Sequence, residues 1–246
     1  MNANFGPVIG EFVGTAVLVL LGNGSVAAVL LARSKAANGG WIVITTAWAL
    51  AVFAGIMVAA AFGDSDGHLN PAFTIASVLM SGHPERLWSY IPAQLAGGFV
   101  GAVLVWIFYL PHWKPTENAA DKLACFCTAP AIRSPLNNFI SEVIGTFILV
   151  IVATAFASKR IAPGGLAPGF GPALVGGLVW SIGLSLGATT GYAINPARDF
   201  APRLAHALLP IAGKGDSDWS YAPIPILGPI CGAVMAALFV NWSGMS

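Results

Sequence analysis

Between residues 161 and 197 the chain runs 37 residues without a charged side chain. Charge-free stretches also cover 12–32, 41–63 and 87–113. Apolar runs longer than about 18 residues are long enough to cross a bilayer. In hydrocarbon every backbone polar group needs a partner within the protein, which leaves only helices and closed barrels. Barrel strands alternate with period two, and these segments do not, so helices are expected. Composition agrees. Charged residues make up 9% of the 246, where a soluble domain carries roughly 25%, too few to cover a water-facing surface. The formal net charge of +1 offers no footing for nucleic acid or an acidic partner. The N-terminus has no basic segment and its first apolar run is full length, so no cleavable signal peptide is expected. Cys125, Cys127 and Cys231 lack ligand-like neighbours at metal-binding spacing, so a structural or incidental role and no metal are expected.

Six full spans are read, near 8–32, 41–62, 87–110, 137–157, 170–188 and 222–243. Residues 111–136 are richer in Pro and charge and read as a linker. The two sides of that linker repeat. Glu11-x-x-Gly14-Thr15-x-x-Leu18-Val19 matches Glu142-x-x-Gly145-Thr146-x-x-Leu149-Val150, and Gly101-Ala102-Val103 matches Gly232-Ala233-Val234. Each half also holds one Asn-Pro-Ala: Asn70, Pro71, Ala72 and Asn195, Pro196, Ala197. The expected organisation is one transmembrane channel domain, with repeats 1–110 and 137–246. Three spans per half is an odd number, so the second half inserts upside down.

The apolar segment after the first Asn-Pro is only ten residues long, about 15 Å of helix and half a hydrocarbon core. Asn is a favoured N-cap, and Pro suits the first helical position. Each tripeptide therefore reads as the start of a half-helix, and inversion brings the two starts together near the midplane. The loops leading into them, 63–69 and 189–194, must then line a watery cavity. The pairs Gly10/Gly14, Gly97/Gly101, Gly183/Gly187 and Gly228/Gly232 read mostly as close helix contacts.

The two Asn-Pro-Ala boxes, each in a half that opens Glu-x-x-Gly-Thr, resemble the aquaporin or major intrinsic protein superfamily over nearly the whole chain. Gly67-His68-Leu69-Asn70-Pro71-Ala72 and Gly191-Tyr192-Ala193-Ile194-Asn195-Pro196-Ala197-Arg198-Asp199, with Arg203, Pro225 and Ile226, are similar to its glycerol-facilitator branch. The resemblance implies an all-α aquaporin fold in the plasma membrane, with six spans and two half-helices. It also implies a homotetramer with one pore per protomer, water and small neutral solutes such as glycerol as permeants, no cofactor, and no enzymatic activity.

By the same resemblance Trp48, Gly183, Tyr192 and Arg198 form a selectivity filter. Trp48 and Tyr192 make an apolar corner, and Gly183 stands where water-selective members usually have His, leaving a wider opening. Carbonyls of Gly67, His68, Gly191, Tyr192 and Ala193, and amides of Asn70 and Asn195, would replace the solute's lost hydration. Glu11 and Glu142 are expected to support the loops, with a proton relay as the rival reading, and His68 to hold its own loop. Asp64 and Asp66 depart from the family pattern and read as solvated. With the N-terminus inside, Arg33, Lys35, Lys114, Lys122, Arg133 and Lys214 fall outside, against the positive-inside rule, so orientation rests on the resemblance. The competing functions are a proton- or ion-coupled secondary transporter and a gated ion channel. Donors and positive helix ends at the midplane, where a transporter would have a carboxylate cage, favour a passive channel.

Overall fold

The computed structural model describes residues 6–62 and 65–245. Asp64 lies outside them. The described residues form ten helices: α1 Gly6–Leu30, α2 Trp41–Ala61, α3 Pro71–Ser81, α4 Glu85–Phe108, α5 Leu110–Trp113, α6 Ala119–Ala124, α7 Pro135–Ala157, α8 Phe170–Ser185, α9 Pro196–Leu208 and α10 Pro223–Ser243. Five are long and apolar enough to cross a membrane: α1, α2, α4, α7 and α10. The fifth expected span, α8, is shorter than its apolar run. It has 16 residues, about 24 Å, because the chain turns at 186–190 to reach the second Asn-Pro-Ala.

The packing is two-fold. α1 packs on α2 and α4, and α7 packs on α8 and α10 in the same way. α2 meets α8 across the repeat. Each half-helix lies against the last full span of the other half, α3 on α10 and α9 on α4. Glycines set these distances. A methyl at Gly97 or Gly101 would overlap the carbonyls of Phe12 or Ala16 on α1, and one at Gly232 would overlap that of Val143 on α7. Gly14 faces the Gly55 carbonyl of α2 in the same manner. These pairs are the close contacts expected of small residues in membranes.

The outer surface is apolar, with Leu50, Phe108 and Leu238 among its exposed side chains. Trp88 and Trp242, each more than 80% exposed, mark one end of the bundle, and Trp41 and Trp219 the other. That is the placement of aromatic belts at two membrane interfaces.

Residues 111–136 are more than a linker. They contain α5 and α6, and Trp113, Cys125, Phe126 and Cys127 are buried. Phe126 offers its carbonyl to Asn23 on α1 and its ring to His206 on α9. Burial raises the pKa of the Cys125 and Cys127 thiols, which keeps them unreactive.

Candidate functional site

Both half-helices start as the Asn-Pro pattern predicts. Asn70 and Asn195 sit in extended backbone, and their Oδ1 atoms accept N–H bonds from the next turn: Ala72 and Phe73 for one, Ala197 and Arg198 for the other. Their Nδ2 atoms reach across the repeat. Asn70 donates to the carbonyl of Ile194, and Asn195 to that of Leu69, each at 2.8 Å. The two helix N-termini are thereby fastened to one another. An amide nitrogen carries two hydrogens, so one hydrogen of each Nδ2 is not used by these bonds.

The residue before each Asn is strained. Leu69 has φ +51° and Ile194 φ +42°, a left-handed backbone that branched or bulky residues rarely adopt. Two buried carboxylates hold it. Glu11 Oε1 accepts the His68 N–H and Ser65 hydroxyl, and Oε2 accepts the Leu69 N–H and the Gln94 amide, at 2.8–2.9 Å. Glu142 accepts the Ala193 N–H at 3.0 Å and the Ile194 N–H at 2.8 Å. Both acids therefore serve the loops. His68 Nδ1 meets Thr74 Oγ1 at 3.1 Å, and its ring packs on Phe73 and Tyr90.

A cavity of about 240 Å³ follows these loops. Gly67, His68, Leu69, Asn70, Tyr192, Ala193, Ile194 and Asn195 line one side. Apolar residues, including Leu18, Val52, Ile56, Leu149 and Val179, also line it. The apolar wall was not named from the sequence, though Leu18 and Leu149 occupy the same position in the repeated motif. Gly191 is not among the lining residues. It lies at φ +81° against Thr128.

Trp48, Tyr192 and Arg198 all line this cavity. The Arg198 guanidinium carbon lies 4.1 Å from the centroid of the Trp48 ring, a cation–π stack. Gly183 and Gly187 lie against the Tyr192 ring. A Cβ at Gly183 would lie 2.9 Å from Tyr192 Cζ, and one at Gly187 would lie 2.5 Å from Tyr192 Cδ1. The space that this glycine pair leaves seats the Tyr192 ring, and it also lets α8 approach α2, where a Cβ at Gly183 would lie 3.0 Å from Thr45 Cγ2. Trp41 closes the seat. Its indole donates to the Gly183 carbonyl at 3.0 Å, and its ring stands edge-on to Tyr192.

Asp66 is engaged as well as solvated. Its carboxylate pairs with Arg86 at 2.7 Å and accepts the Tyr90 hydroxyl at 3.2 Å, and the residue lines the cavity. Sequence reasoning also missed the work of Asp199 and Arg203. Arg203 is wholly buried and pairs with Asp199 at 2.8 Å. It also donates to the carbonyls of Thr128, Ser217 and Asp218. Asp199 accepts the N–H and hydroxyl of Thr128. The Asp–Arg spacing of four residues on one helix was the available signal.

Inverted repeats, two half-helices joined at their N-termini and a cavity that passes that junction define a multi-pass membrane pore. Residues 2–240 match the family described as Major intrinsic protein. The chain belongs to that family. It is 51% identical to the probable glycerol uptake facilitator protein of Thermotoga maritima, over 95% of this chain and 97% of that one. It is 49% identical to the glycerol uptake facilitator protein of Streptococcus pneumoniae, over 94% and 96%. Among solved structures it is similar to the aquaglyceroporin from Plasmodium falciparum, with a TM-score of 0.85, 30% identity, and coverage of 97% and 96%.

Proposed function

We propose that the protein is a passive channel for water and small uncharged solutes of the size of glycerol, and that it excludes ions and protons. The observation that carries this is the reciprocal bonding of Asn70 to Ile194 and Asn195 to Leu69, which brings two helix N-termini to one point beside the cavity. Each N-terminus is worth roughly +0.5 charge. At about 4 Å and an effective dielectric near 20, each repels a monovalent cation by on the order of 2 kcal/mol. Arg198 adds a full charge nearby. A neutral solute escapes this penalty and meets an amphipathic lining, with carbons against Leu18 and Val179 and hydroxyls against the loops. Glu11 and Glu142 accept backbone N–H bonds, which supports loop holding over proton relay. The glycerol facilitators and the aquaglyceroporin to which the chain is similar favour glycerol among such solutes. A homotetramer with one pore per protomer, and a filter of Trp48, Gly183, Tyr192 and Arg198, belong to the same reading.

Vesicles containing the purified protein should equilibrate glycerol and water without a proton gradient, sodium or voltage, with flux near linear in glycerol to high concentration. Saturation at micromolar glycerol together with strict dependence on a proton gradient would establish coupled transport instead.

A further inference from the structure

Two charges line the cavity, and they stand far apart along it. Among the described residues that line it, Arg198 is the one permanent cation and Asp66 the one acid. Arg198 stacks on Trp48, which lies about 20 Å of helix from the end of α2 at Ala61. Asp66 lies past that end, in the turn that leads to α3, and is bonded to Arg86 in the first turn of α4. Its side chain is 41% exposed, whereas Arg198 and Trp48 are buried. Asp66 therefore marks a mouth of the cavity. One oxygen of its carboxylate is engaged: Oδ2 pairs with Arg86 and accepts the Tyr90 hydroxyl. No hydrogen bond among the described residues takes Oδ1. Arg86 is not a lining residue, and it also reaches Ser77 at 3.4 Å. An ion entering the mouth thus meets the carboxylate ahead of the guanidinium. The positive helix ends and Arg198, which repel a cation, attract an anion. A negative group in series with them turns anions away before they feel that attraction.

We propose that Asp66 is an anion-excluding residue of this channel. Its carboxylate refuses small monovalent anions at the mouth, and the helix junction and Arg198 stop cations further in. The inference rests on the channel reading above and assigns one half of its ion exclusion to a residue. A neutral solute is indifferent to the sign of either charge. One full charge at a partly screened mouth changes the local population of an ion by about tenfold. Arg86 trims this effect, and the direction in which it does so separates charge from structure. If Asp66 only fastens its loop to α4, losing either partner breaks the same pair and has the same effect. If its charge acts on ions, the two losses act in opposite directions.

The test measures chloride permeability, divided by glycerol permeability on the same vesicles, for wild type, Asp66→Asn, Arg86→Gln and the double variant. Chloride has no neutral form at neutral pH, so it reports the anion alone. The expected result is a rise of about tenfold for Asp66→Asn and a smaller rise for the double variant, whose mouth is neutral. Arg86→Gln should stay at or below wild type, because it leaves the carboxylate uncompensated. No rise in Asp66→Asn overturns the proposal, and so does a rise in Arg86→Gln. Should Asp66→Asn fail to fold, the double variant decides, and a ratio at or below wild type overturns the proposal. Wild-type vesicles that pass neither glycerol nor water would sink the channel reading itself, which is a different result.

Discussion

Leu69 and Ile194 carry strain beside the pore, and the carboxylates of Glu11 and Glu142, 58 and 52 residues away in sequence, offset it. Each left-handed residue costs of order 1–3 kcal/mol, and charge-assisted bonds to its N–H and its neighbour's return about 1.5–3 kcal/mol apiece. Glu142→Ala removes both bonds at once and leaves two buried N–H groups unpaired. The expected loss is about 2 kcal/mol or more, a fall of about 4 °C or more in the melting temperature of the detergent-solubilised protein. An unchanged melting temperature would show that the loop holds its shape without the acid. Arg198 has a different task, repulsion. Arg198→Val should raise proton and cation leak through the vesicles while neutral flux stays substantial. Loss of glycerol flux with no new leak would mean that the guanidinium carries solute and does not exclude ions.

At the scale of elements, glycine does three separable jobs, and each predicts a different outcome for a single added methyl. Gly101 lies against the Ala16 carbonyl with a Cβ–oxygen approach of 2.6 Å, so Gly101→Ala forces α1 from α4 and should lower stability. Gly24 and Gly177 have nothing within 4 Å. Ala at either should raise stability slightly, by about 0.5–1 kcal/mol at most, through helix propensity. Gly183→Ala should act on selectivity. The methyl presses the Tyr192 ring toward the pore, so glycerol flux should fall more than water flux on the same vesicles. Equal proportional losses would mean that Gly183 only maintains packing. The sequence made the first job legible, because small residues four apart on an apolar helix have one common use. It could not separate the third job from the first, since Gly183/Gly187 has the same spacing as Gly97/Gly101. What differs is the partner, an aromatic five residues past Gly187, reached only after the chain turns back on itself. The half-helices were legible for the opposite reason. Asn-Pro carries its own cap and first-turn geometry, so α3 and α9 begin where the pattern places them.

At the scale of the molecule, the feature hidden in the sequence is how the face of the bundle around α9 and the 111–136 segment is closed. Lys122 is buried and donates to the carbonyls of Ala212 and Gly213. Lys214 donates to those of His206, Ala207 and Leu209 at 2.6–2.8 Å, capping α9 where a helix end favours a cation. Arg133 pairs with Asp218. Lys122, Lys214 and Arg133 are therefore structural fasteners. Arg203 is the centre of the arrangement, joining α9, the 125–128 segment between the repeats and residues 217–218. Removing it leaves Asp199 charged at 0% exposure, and an unpaired buried charge costs about 3–5 kcal/mol. Arg203→Met should therefore lower the melting temperature sharply and loosen the outer face, read as faster proteolysis of the 111–134 segment. Asp199→Asn on its own should cost less, because Thr128 can still bond to the amide oxygen. The double variant should regain part of the loss of Arg203→Met, since a neutral amide tolerates burial without a guanidinium. If the double variant is no more stable than Arg203→Met, the charge of Asp199 is not what Arg203 balances. Its three carbonyl bonds, to Thr128, Ser217 and Asp218, would then be what holds the outer face closed.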